Sequence, residues 1–127
     1  RYLYSDNKRV VARLQRRNSD GNVYFDAVTN SQKKVLGIWL GVKLDGVWVS
    51  WPNGYYVFNG TNYPINGATH GSENNQTIDE TFCILTQGQW ESTLLDLVAS
   101  YLPTTHWGKD GSTQKTIVYT NSFLGYY

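Results

Sequence analysis

Ile38 to Ser92 is the stretch on which the fold turns. It is entered through Gly37-Ile38-Trp39-Leu40-Gly41-Val42, a short apolar run edged by glycines. Val47-Trp48-Val49-Ser50-Trp51-Pro52-Asn53-Gly54 follows, strand-forming residues that end in a turn. A polar segment then runs from Asn59 to Thr77, and Phe82-Cys83-Ile84-Leu85-Thr86-Gln87-Gly88-Gln89-Trp90-Glu91-Ser92 closes the stretch. Short β-rich runs thus bracket one long polar segment, with tryptophans at both ends. A connection longer than about 12–15 residues without its own secondary structure is uncommon, and is usually functional or disordered. The expectation is a ligand-binding loop over 59–77. Trp39, Trp48 and Trp90 should pack together beneath it in the core, with Trp51 partly exposed.

Before this stretch, Tyr2 and Tyr4 alternate as in a short strand, and Ser5 or Asp6 can cap a helix. Val10, Val11 and Leu14 give that helix an apolar stripe, and Arg16 and Arg17 fall near its end, where positive charge suits the helix dipole. On such a helix Arg9, Arg13 and Arg16 share a face, either plainly solvated or a basic stripe for sulfated glycans or nucleic acid. Asp20-Gly21 reads as a turn and Val23 to Phe25 as a strand. Thr29 or Asn30 caps a second short helix that Gly37 ends. After the stretch, Leu94, Leu95, Leu97 and Val98 fit either a buried strand or one helix face. Lys115 to Thr120 alternates like a strand, and Phe123, Tyr126 and Tyr127 form an aromatic tail.

With 127 residues the chain suits one domain, 1–127. Net charge is +1, so bulk charge implies no nucleic-acid or membrane partner, and no run approaches the roughly 18 apolar residues of a membrane span. Ten Tyr and five Trp are many for this length; such rings fill cores, and also line recognition surfaces as rigid contact area. Arg1 as first residue points to a processed or excised fragment. The single cysteine, Cys83, rules out an intrachain disulfide and reads as a buried, inert thiol.

Taken in order, these features resemble the C-type lectin-like domain. Ile38-Trp39-Leu40-Gly41 matches that family's W-I-G-L strand, Val47 to Gly54 its W-x-W segment, and Asn62-Tyr63-Pro64 its N-W/Y-x-P element. Glu73-Asn74-Asn75 falls at the E-P-N loop, Cys83-Ile84-Leu85 at the C-V-x-L strand, and Gly88 to Ser92 at the G-x-W-N-D ending. The resemblance implies an α+β fold, with two short helices packed on small antiparallel sheets and a long polar loop. It covers roughly residues 1–103 and leaves 104–127 as an extension without family counterpart. The family usually has two cysteines, though cysteine-free versions occur in bacterial surface adhesins and phage tail proteins. It also implies where calcium, which takes six to eight oxygens, would bind: Glu73, Asn75, Glu80 and Glu91. Asn74 replaces the family's proline and Ser92 its aspartate, so no cofactor is expected and calcium is left as an option.

No phosphate-cradling glycine loop, nucleophile elbow or zinc-ligand spacing is present, and the chain reads as no enzyme. The expected function is recognition of a cell-surface ligand, carbohydrate or protein, at an extracellular, cell or virion surface. Its expected contacts are Trp51, Tyr55, Asn62, Tyr63, Glu73 and Asn75, which combine flat aromatic faces with amide and carboxylate groups. The other reading is a structural or oligomerisation module of a surface or virion fibre, with 104–127 packing between protomers.

Overall fold

The computed structural model describes residues 2–5, 8–58, 60–88, 101–111 and 113–119, and every element in them is a β-strand. A five-stranded antiparallel sheet is built around one long strand, β3 (Asn22–Val35). On one side β3 pairs along its length with β2 (Lys8–Ser19), which in turn pairs with β1 (Tyr2–Ser5). On its other side it pairs first with β9 (Thr77–Thr86) and then, at its far end, with β4 (Ile38–Gly41). The β2–β3 hairpin closes on Asp20-Gly21, whose positive φ values of 50° and 78° suit the two-residue turn that follows strand twist.

The second sheet has four strands in the order β11 (Thr113–Tyr119), β10 (Thr104–Asp110), β5 (Leu44–Trp51) and β8 (Ala68–Asn75). Between β5 and β8 the chain makes a small separate hairpin, β6 (Gly54–Phe58) with β7 (Thr61–Ile65). Strand periodicity accounts for the core. Val23, Phe25 and Ala27 of β3 meet Val47, Val49 and Trp51 of β5, with Ile78, Phe82, Cys83 and Leu85 of β9, Ile65 of β7 and Leu102 completing the cluster.

A polar bridge ties the sheets inside this core. The Thr29 hydroxyl donates to the Trp48 carbonyl at 2.9 Å and also lies 2.9 Å from His106 Nδ1. Its one proton is committed to the carbonyl, so Nδ1–H of a neutral His106 donates to Thr29. Nε2 then accepts from Thr104 Oγ1 at 2.9 Å. Burial pushes the His106 pKa down to about 4, against a weaker opposing hydrogen bond at the Val28 backbone. Cys83 is buried as expected, and burial raises its thiol pKa to about 12.

Several expectations need correction. The α+β, C-type lectin-like architecture is not what the chain adopts, for no described element is a helix. The first expected helix is β2 and the second is the end of β3. Pairing on β2 is of period two, so Arg9, Arg13 and Arg17 share the outer face, while Arg16 lies on the other. The expected 59–77 loop is largely β7 and β8. Trp39 and Trp48 do not share a core, for they lie on different sheets. Trp39 is half-buried on β4 under the Arg9 guanidinium, 4.1 Å from the ring centroid, and Trp48 is half-buried on the other sheet. Trp90 lies outside the described residues, as do Leu94 to Val98 and the aromatic tail. Trp51, expected to be partly exposed, is 6% exposed.

Candidate functional site

The outer face of the four-stranded sheet carries the most ordered arrangement of recognition groups. Val47, Val49 and Trp51 point into the core, so the alternate residues of β5, Gly46, Trp48 and Ser50, point outward. Residues directly opposite one another on paired strands share a face. Register therefore places Gly71 and Trp107 beside Trp48, Thr69 and Thr105 beside Ser50, and Glu73 and Lys109 beside Gly46. The result is three rows across β8, β5 and β10: hydroxyls (Thr69, Ser50, Thr105), indoles (Trp48, Trp107) and charges (Glu73, Lys109). Thr69, Glu73 and Lys109 are exposed, and Ser50, Thr105 and both indoles are half-buried.

The two indoles lie in near-parallel planes, 8° apart, with centroids 6.0 Å from each other. Glycines make room for this. A Cβ at Gly46 would run into the six-membered ring of Trp48, and one at Gly71 into its pyrrole edge. Trp48 thus lies flat across the backbone of both residues. A flat indole row between hydroxyls and an acid–base pair can stack on a sugar ring while hydrogen-bonding its hydroxyls.

The residues singled out from the sequence are scattered. Trp51 belongs to the core, where its Nε1–H donates to the Asn66 carbonyl at 2.9 Å and Phe82 meets its ring edge-on at 6.0 Å. Tyr55 is half-buried, bonded backbone to backbone with Tyr101 at 2.9 Å in both directions. Tyr63 stacks on Tyr56 across β6–β7 with centroids 5.2 Å apart. Asn62 is exposed opposite Val57, and the pleat puts it and Tyr55 on the face away from Tyr63. Asn75 is engaged locally, donating to Ser72 Oγ at 2.9 Å and accepting from the Gln76 N–H at 2.8 Å. Of the six, Glu73 is placed beside Gly46 on the tryptophan face, and Asn75 is two residues further along β8.

Of the calcium set, Glu80 faces His70, with Oε1 3.9 Å from Nδ1, and Glu91 lies outside the described residues. Among the described residues no three His, Cys, Asp or Glu side chains converge on a metal-sized site. A cleft of about 470 Å³ also opens beside β6–β7, with Trp51, Tyr56 and Phe82 among its rings and His70, Asn66 and Thr81 among its polar groups.

Sequence reading missed Trp48 and Trp107 as surface groups. For Trp48 the signal is the strand's period of two, which puts it on the face opposite Val47, Val49 and Trp51. For Trp107 only the pairing of β10 with β5 reveals it. No family model matches the chain, and neither a curated protein nor a solved structure does.

Proposed function

We propose that this chain is a non-enzymatic recognition domain that binds carbohydrate, exposed at a cell or virion surface, through the Trp48–Trp107 face. The observation that carries this reading is the parallel indole pair laid over Gly46 and Gly71, with hydroxyls along one side and Glu73 and Lys109 along the other. Aromatic rings present large rigid area at little entropic cost, and the polar rows supply donors and acceptors for sugar hydroxyls.

The test is a glycan array followed by calorimetry on the strongest hit. Trp48→Ala and Trp107→Ala should each weaken binding by about tenfold or more, since hot-spot tryptophans cost upward of 1–2 kcal/mol when truncated. Tyr63→Ala, on the separate hairpin, should leave affinity unchanged. Full affinity in both tryptophan variants, with the fold intact by circular dichroism, would move the site to the cleft beside β6–β7.

A further inference from the structure

The tip of the β3–β4 hairpin violates three rules at once. Leu36 and Gly37 are its two turn residues, with φ of 50° and 80°. Such turns favour Asn-Gly or Asp-Gly, as Asp20-Gly21 shows in this same chain, and a branched apolar residue pays for the left-handed conformation. Leu36 is also 97% exposed, and Ile38 at 63%, Leu40 at 52% and Val35 at 41% extend the apolar patch. Four of the seven exposed large apolar side chains among the described residues thus fall within residues 35–40. The pleat explains why. Pairing puts Val35, Ile38 and Leu40 on the face that β3 turns towards the core. Ser31 on that face is fully buried, whereas Val35 is not, so the hairpin overhangs the facing sheet.

Behind the apolar tip comes a basic and aromatic collar. Lys33 pairs with Leu40 and Lys34 with Trp39, Arg9 lies over the Trp39 ring, and Lys43 follows β4. From Asp26 to Asp45 the sequence has no carboxylate between them. Two residues of strand separate Leu36 from the Lys34–Trp39 level, about 7 Å. That is the depth, about 5–10 Å, to which interfacial apolar elements enter a bilayer, with tryptophan and lysine at the headgroups.

We infer that the β3–β4 tip inserts into an anionic lipid surface, Leu36, Val35 and Ile38 entering the acyl boundary while Lys33, Lys34 and Arg9 meet the headgroup charge. This goes beyond carbohydrate recognition and uses none of its residues, so either activity survives failure of the other. The test is co-sedimentation with phosphatidylcholine–phosphatidylserine vesicles against pure phosphatidylcholine vesicles. The chain should sediment with the anionic vesicles and lose partitioning in high salt. Leu36→Asn suits the turn better than leucine, so it should fold at least as stably and yet bind vesicles about tenfold less. Lys33→Glu with Lys34→Glu should lower partitioning by about tenfold or more. Absence of binding to anionic vesicles, or unchanged binding by Leu36→Asn, overturns the inference. So does a dimer in solution that Leu36→Asn converts to monomer while vesicles stay unbound, which would make the tip a contact between copies.

Discussion

His106 shows how one side chain links packing to solution behaviour. Its ring is fully buried between Thr29 and Thr104, and desolvation holds its pKa near 4 against an ordinary 6.5. The unfolded chain therefore binds a proton between those values that the folded chain refuses, and stability rises with pH across that window. The contribution is complete above about pH 6.5 and is lost as pH falls towards 4, on the order of 3 kcal/mol. Asp26 acts in the same direction lower down. Burial raises its pKa, but hydrogen bonds from Thr81, Arg17 and Gln15 and the Arg17 charge outweigh that, leaving it below 3.8. Its stabilisation is present above that ordinary value and lost as pH falls through the lower folded one. Urea titrations at pH 7 and 4.5 should differ in wild type and much less in His106→Gln, which keeps a donor and an acceptor. Equal pH dependence in both would assign the acid sensitivity elsewhere.

At the scale of elements, the strands that announce themselves locally were legible and those defined by partners were not. Asp20-Gly21 carries its own turn chemistry, and Thr81 to Thr86 is a short apolar run that Gln87-Gly88 ends. β2 does not, because its arginines at 9, 13 and 17 are spaced by four, which satisfies a helix face and a strand face alike. Val10, Val11 and Leu14 fit a helical stripe, whereas on the strand Val10, Ala12 and Leu14 face inwards together. β8, Ala-Thr-His-Gly-Ser-Glu-Asn-Asn, is an edge strand of mostly polar residues, and only its pairing with β5 makes it a strand. The same pairing governs the tryptophan face, where it sets Glu73 beside Gly46. Gly71→Ala forces a Cβ against Trp48, so it should cost about 1–3 kcal/mol and displace the ring. Gly88→Ala, where a Cβ meets nothing, is the control and should stay within about 0.5 kcal/mol. Thermal melts and glycan affinity measured together check this; a Gly71→Ala chain that binds normally would mean the flat ring is incidental.

For the molecule as a whole, the scatter of Glu73, Asn75 and Glu80 predicts that calcium leaves the melting temperature unchanged, because only a ligand bound to the native state raises it. A rise abolished by chelation and removed by Glu73→Gln would show a site that those positions build with Glu91. The topology also sets the order in which the chain can become itself. β3 waits for β9 to cover its second side, and β5 waits for β10 to bring Trp107 beside Trp48. Both partners arrive from far along the sequence, and such non-local pairings are slow, in the range of milliseconds to seconds for β-sandwich-like domains. During synthesis the β2–β3 hairpin is made before β9 and β10, so its apolar face stays uncovered until those strands follow.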